Sequence, residues 1–410
     1  MQKIAAALAL AFVVHTTPAA ARTEVATPPA ATPPATQTTP TTAPAKPVEK
    51  SGLVPTIKPK VELVFALDTT GSMGGLIDGA KRKIWAIANE VASAKEKPEV
   101  RIGLVAYRDR GDAYVTKVVP LTDNLDAIYE QLMAFAADGG GDGPEDVNSA
   151  LHDAVTKMQW SQEKGTLKMV FLVGDAPPHM DYQGQVQWQQ TAKAAIRQNI
   201  TINTVQCGLD GSTTTTWKEI AYAAEGRYAL LPQDGGVRVA EATPYDAELA
   251  RLAGELDATN FTYGRRAERE GKVASRKKAA EYAAAAPVAS SADRAIAKGA
   301  LGSGMKASED LVTLAETSGG AGAALAQVKD DELPDELKGK SKEEQKAVIE
   351  QNQQKRQAIQ KQIAELSQKR SAHLKNEAAK KPAAAKKDAF DAEVASIVKE
   401  KGKDVGLSYE

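Results

Sequence analysis

The sequence predicts an α/β fold: a doubly wound, mostly parallel sheet with one antiparallel edge strand, followed by an α-helical C-terminal region. Three observations predict it. Unbroken apolar runs of strand length occur at residues 61–67, 102–107 and 169–173, as expected of strands covered on both faces of a parallel sheet. Between them lie segments whose apolar residues recur every three or four positions, and alternation of this kind builds a doubly wound sheet. Beyond about Leu231 the chain becomes rich in Ala, Lys, Glu and Gln, which favours helix.

At the N-terminus, Lys3 precedes the apolar stretch 4–14 and the small residues Ala19, Ala20 and Ala21. This is the pattern of a secretory signal peptide, residues 1–21. The stretch is too short to span a bilayer, and no other run approaches the roughly 20 apolar residues of a membrane helix. The mature chain is therefore expected to be periplasmic or secreted, with no transmembrane segment. Residues 22–60 are largely Pro, Thr and Ala, a composition that cannot offset its ordering entropy, and are expected to form a disordered linker. The α/β domain follows at 61–235, then a helical, low-complexity extension at 240–335 and a charged helical tail at 336–410.

Within the domain, Leu76, Ile77, Ala80, Ile84, Ile87, Ala88 and Val91 mark one face of a helix after the first strand. Residues 114–119 mix in polar side chains after a short Gly-Asp turn and suit a hairpin return on an exposed edge. Further helical patterns fall at 125–135, 147–158, 185–198 and 217–224. The run from Thr243 opens a helix in which Leu249, Leu252 and Leu256 share a face. Residues 265–278 read as a solvated helix, and 279–326, low in bulky side chains, as partly disordered or loosely helical. Residues 341–380 hold strong helix formers, with Ser341 and Glu344 spaced as a capping box. Their apolar positions are too sparse for a long two-stranded coiled coil, which leaves a helical hairpin or a solvated stalk. Phe390, Val394, Ile397 and Val398 recur in a short amphipathic helix suited to pack on that stalk or to dock on a partner.

Lys and Arg number 52 against 53 Asp and Glu, so nothing global directs the chain to nucleic acid or an anionic membrane. Cys207 is the only cysteine. An intramolecular disulfide is thus excluded, and its place after an apolar strand suits a buried, inert thiol. The G-x-S-x-G, H-E-x-x-H and G-x-x-x-x-G-K patterns are absent, and the chain is not expected to be an enzyme.

Where the first strand ends, Asp68, Thr70 and Ser72 stand at alternate positions of one tight turn. Oxygens in that pattern suit a hard divalent cation. Ligands of a doubly wound sheet bind beyond the carboxyl ends of its strands, where strand order reverses. Asp175 follows another core strand, and placing the strands that begin near Val61 and Met169 side by side brings it to the same crevice. The acidic, glycine-rich loop 139–146 offers one more oxygen, from Asp142 or Glu145. Arg110, Gly111 and Asp112 read as a tight turn with Arg108 and Asp109 as solvated charges beside it. His152 reads as a helix-surface residue and His179 as a loop residue beside the crevice.

These elements resemble a von Willebrand factor type A domain with a metal-ion-dependent adhesion site, of the exported bacterial kind. The family pattern is D-x-S-x-S after the first strand, a Thr in a middle loop and an Asp after the fourth strand. Here the first reads Asp68-x-Thr70-x-Ser72 and the last is Asp175, while the middle-loop Thr has no match except Asp142 or Glu145. The resemblance implies a divalent cation, Mg2+ foremost with Ca2+ and Mn2+ as alternatives. Thr70 and Ser72 would bind it directly, with Asp68 and Asp175 direct or through water. It further implies capture of a protein partner, here an envelope or extracellular protein, with self-association through the helical tail. The alternative is a structural or assembly protein whose metal only stabilises loops while the tail binds partners.

Overall fold

The computed structural model describes residues 58–141, 143–231, 242–301, 307–380 and 389–409. The segment expected to be a signal peptide, the expected linker up to residue 57 and Asp142 lie outside the described residues. Strand β1 (Lys60–Asp68) is buried at every position after Lys60. It pairs in parallel with β2 (Glu99–Tyr107) on one side and β4 (Thr166–Gly174) on the other. Beyond β2, the strand β3 (Thr116–Thr122) runs antiparallel at the edge; beyond β4, β5 (Ile200–Cys207) and β6 (Tyr228–Leu231) continue in parallel. The order β3-β2-β1-β4-β5-β6 reverses direction between β1 and β4, which puts a crevice at their carboxyl ends.

The apolar runs are unbroken because both faces of the sheet are covered. Leu63, Phe65 and Leu67 of β1 pack with α1 (Ile77–Ala92) and α2 (Leu125–Ala134). The alternate residues Val64 and Ala66 pack with α3 (Val147–Thr156), α4 (Trp188–Arg197) and α5 (Gly211–Ala223). Helix α5 begins at Gly211, six residues before the helical pattern read at Trp217. The Asp210 side chain accepts the Thr213 backbone N–H at 2.7 Å, and this cap offsets the poor helix propensity of the threonine run.

The C-terminal helices are α6 (Asp246–Asp257), α7 (Arg266–Ala285), α8 (Val288–Leu301), α9 (Leu311–Thr317), α10 (Ala321–Leu325), α11 (Lys342–Lys380) and α12 (Ala389–Lys403). They pack back on the sheet domain: α8 on α1, α7 on α2, and α12 on α1 and β6. The described part of 279–326 is helical and packed rather than loose. Ala289, Ala292, Ala295 and Ala297 of α8 are all buried, because side chains this small let helices approach closely and need little bulk to fill the interface.

Ser341 and Glu344 form the capping box, with the Ser341 N–H donating to the Glu344 carboxylate at 2.8 Å. Helix α11 is neither a hairpin nor a free stalk. Its Ile359 and Ile363 share a core with Leu249, Leu252 and Leu256 of α6. Arg356, fully buried, donates to Asp310 Oδ2 at 2.8 Å, Asn260 Oδ1 at 2.9 Å and Thr259 O at 3.1 Å. Val394, Ile397 and Val398 of α12 enter the core of the sheet domain, so this short amphipathic face is covered by its own chain. A buried ionic cluster joins α2 to α8 and α6. In it Asp126 accepts from Arg294 and, at 2.9 Å, from Lys298, which also reaches Asp257.

Candidate metal centre

Three loops meet at the carboxyl end of β1. The first continues β1 through Thr69 and Thr70 into a short 3-10 turn, Gly71–Gly75, that leads to α1. Thr69, fully buried, anchors it: its N–H and hydroxyl both donate to Tyr107 O, at 3.0 and 2.9 Å. Loop 136–146 lies alongside, with Gly71 N–H donating to Gly139 O and Asp138 N–H to Thr69 O. A Cβ on Gly71 would stand 2.8 Å from Gly139 O, so this approach requires glycine. After β4, the third loop pairs with the second: Glu145 N–H donates to Pro177 O and His179 N–H to Glu145 O, both at 3.0 Å. That bridge brings Glu145 to the crevice.

The oxygens read from the sequence converge. Thr70 donates to Asp68 Oδ1 from its N–H at 2.8 Å and from its hydroxyl at 2.7 Å. The Thr70 and Ser72 hydroxyls are 3.1 Å apart, and Ser72 donates to Asp175 Oδ1 at 2.9 Å. Asp68 and Asp175, 107 positions apart in sequence, are thus bridged by two hydroxyls. From α5, Thr213 holds the Asp175 backbone by donating to its carbonyl at 3.1 Å. The cluster is graded: Asp68, Thr70 and Glu145 are buried, Asp175 is half-buried and Ser72 is exposed. Its open side is therefore at Ser72.

The carboxylates are electrostatically unsatisfied. Burial pushes Asp68 up to about 7, against the Thr70 hydrogen bonds that favour its ionised form, and the nearby Asp175 charge adds to the rise. Glu145 is pushed to about 9 by burial and by the charges of Asp68 and Asp109. Asp175 is raised too, chiefly by burial. Asp68 Oδ2 and Glu145 Oε2 are buried with no hydrogen-bond partner among the described residues. Orphaned carboxylate oxygens are costly, and a hard cation would satisfy them, so the donor set fits a divalent ion. Among the described residues no group of three or more His, Cys, Asp and Glu is placed to hold a metal; an ion here depends on the hydroxyls as much as on the acids.

Of the two acids considered for the middle loop, Glu145 lies against Thr70 and Asp142 falls outside the described residues. Arg108 and Asp109 are not solvated, as the sequence suggested, but buried. Arg108 donates to Ala136 O at 2.9 Å, and Asp109 accepts from the Tyr182 hydroxyl at 2.7 and 2.8 Å. They fold inward because they follow directly on β2, beside the crevice, and find partners in the two neighbouring loops. Arg110, Gly111 and Asp112 form the expected turn, but Asp112 is tied into the site wall, accepting from Gly140 N–H at 3.0 and 3.1 Å. His179 sits beside the crevice, 2.8 Å from Asp181 and stacked on Tyr182. Tyr107 and Gly174 were not singled out from sequence. A Cβ on Gly174 would lie 2.8 Å from Asp68 Cβ and closer still to the Tyr107 hydroxyl. Their only sequence signal is their place at the carboxyl ends of β2 and β4.

A family model described as von Willebrand factor A domain matches residues 62–239. Human von Willebrand factor A domain-containing protein 7 is 34% identical over 122 residues, which cover 30% of this chain and 12% of that protein. A putative ariadne-like RING finger protein, R811, of Acanthamoeba polyphaga mimivirus is 25% identical over 119 residues, 29% of this chain and 11% of that one. The match thus spans about one eighth of these relatives' length. Among solved structures, the SpRpn10 VWA domain aligns at 15% identity and a TM-score of 0.34, covering 43% of this chain and 89% of that one. Proximal thread matrix protein 1 of the mussel byssus aligns at 14% and 0.35, covering 43% of each. The chain contains a von Willebrand factor A domain, of the kind that commonly mediates protein–protein interaction.

Proposed function

We propose that this is an exported binding protein that captures a protein partner through a divalent cation, Mg2+ foremost, and that it is not an enzyme. The observation that carries this reading is the 2.9 Å contact between Ser72 and Asp175. It completes a chain of hydrogen-bonded oxygens that runs from Asp68 Oδ1 through the Thr70 and Ser72 hydroxyls to Asp175. Thr70 and Ser72 would hold the ion directly, Asp68 and Asp175 directly or through water, and Glu145 would stand at the inner wall. A bound cation supplies a Lewis-acidic position for a polar or acidic group of the partner. What the chain contributes is orientation. Thr69 and Gly71 fix the first loop, Thr213 fixes Asp175, and Ser72 leaves one side open. The apolar residues Met180 and Leu209, 49% and 70% exposed, follow His179 and precede Asp210 in the neighbouring loops and give a partner surface to rest on. Export rests on the N-terminal sequence alone. The test is partner capture from an envelope fraction: chelation by EDTA, or Asp68→Ala, abolishes it while the circular dichroism spectrum is unchanged. Recovery of the same proteins with and without chelator refutes metal-dependent capture.

Glu145 supports a second reading. A buried carboxylate where the family has a hydroxyl adds negative charge that offsets the ion's own, so the cation would staple loops rather than recruit an acid. In that case Mg2+ raises the melting temperature by mass action and capture survives EDTA.

A further inference from the structure

Away from the sheet edge, a cleft of about 250 Å3 opens where the C-terminal helices meet the sheet domain. Four helices line it: Arg82 and Trp85 come from α1, Tyr129 and Met133 from α2, Tyr282 from α7 and Ser290 from α8. Trp85 and Tyr129 are tilted together with ring centroids 5.6 Å apart, so one wall is aromatic. The lining carries both signs of charge, Lys81 and Arg82 against Asp78 and Asp293. Trp85 is only 4% exposed, and its indole N–H has no acceptor among the described residues; the Ser290 hydroxyl is likewise buried without a partner. Arg82 makes no ion pair among the described residues. The two acids at the rim are already engaged, Asp293 with Arg370 at 2.8 Å and Asp78 with Lys81 at 3.7 Å. Lys81 itself donates to Phe135 O at 2.6 Å.

Aromatic walls beside the Arg82 guanidinium ask for a flat ligand that brings an acceptor. The geometry points to a binding site for a small aromatic carboxylate of one or two rings, its ring against Trp85, Tyr129 and Tyr282 and its carboxylate toward Arg82. An Arg–carboxylate pair is the stronger kind of hydrogen bond. The volume is at the small end for ligand pockets, which limits the occupant to that size. This site is independent of the cation.

Isothermal titration of the full chain with 2-naphthoate tests it, with 2-naphthylmethylammonium as the cationic counterpart of the same ring. The expected result is saturable one-site binding of the carboxylate, weakened about tenfold by Arg82→Gln and several-fold by Trp85→Phe, with the ammonium compound at least about tenfold weaker. EDTA leaves all of these values unchanged. Thermal melts check that each variant folds, and Arg82→Gln, a half-buried surface change, carries the test if Trp85→Phe does not. No saturation up to about 5 mM, or equal affinity for carboxylate and ammonium, or an undiminished affinity in Arg82→Gln, overturns the inference and leaves the cleft to ordered water.

Discussion

Cation binding should expel protons, and the number follows from the carboxylates. In the folded protein without an ion, Asp68 titrates at about 7 and Glu145 at about 9. Both values lie above those of the unfolded chain, so the folded state holds more protons. The sign follows: their contribution to stability is full below the ordinary carboxylate range and is lost as pH rises through about 7 and then about 9. At pH 7, Asp68 is half protonated and Glu145 almost wholly so. An ion that takes both as anions therefore releases roughly 1.5 protons. Apparent Mg2+ affinity should climb by up to about tenfold per pH unit between 7 and 9, where only Glu145 must ionise, and more steeply below 7. Glu145→Gln copies the protonated form in shape and removes its titration, so proton release at pH 7 falls to roughly 0.5. Calorimetry of Mg2+ binding in buffers of different ionisation enthalpy counts these protons. Release near zero at pH 7, or an affinity flat from pH 6 to 9, refutes the reasoning that these acids face the ion.

Gly174→Ala should weaken Mg2+ binding at least about tenfold, because the added methyl meets the Tyr107 hydroxyl and displaces Asp68; titration calorimetry reads it, and unchanged affinity counts against the packing described. Arg356→Met should cost about 3–5 kcal/mol in urea unfolding, since it leaves the Asp310 charge buried without its main partner; a loss below about 1 kcal/mol would show that water reaches Asp310. Burial pushes Asp126 up, but the Lys298 and Arg294 charges outweigh it and hold its carboxyl below the ordinary range. The stability it contributes is therefore complete above the unfolded carboxylate value and lost as pH falls through the lower folded one. Asp126→Asn should remove that share of the acid dependence, so stability in urea falls less between neutral and acid pH than in the parent chain; an undiminished fall counts against Asp126 as the anchor.

Much of the sheet was readable because its strands are buried on both faces, which leaves continuous apolar runs such as 61–67 and 169–173. The clustered oxygens of the candidate site were readable for a related reason. Asp68 and Asp175 follow such runs directly, so the topology alone brings them together. Glu145 was harder, since its place depends on a backbone bridge to the loop after β4 that leaves no trace in spacing. Arg108 and Asp109 were misjudged because charge at a turn usually means solvent, whereas here the partners come from Ala136 and Tyr182, distant in sequence. In the helical region, helix formers marked α11 but not its contacts. Arg356 and Arg370 bury their guanidinium groups against Asp310 and Asp246, and a pattern of apolar residues cannot show a helix that docks through arginines. Helix α8 was hidden for a different reason, because its buried alanines fill the interface with little apolar bulk.

The account rests on one cation held by Asp68, Thr70, Ser72 and Asp175. The most direct measurement is a crystal structure grown in Mn2+, with an anomalous difference map to locate the ion. The account predicts a single strong peak in the crevice, about 2 Å from the Ser72 hydroxyl oxygen, with a coordination position open to solvent. A map with no peak at that site, in crystals saturated with the ion, would contradict it.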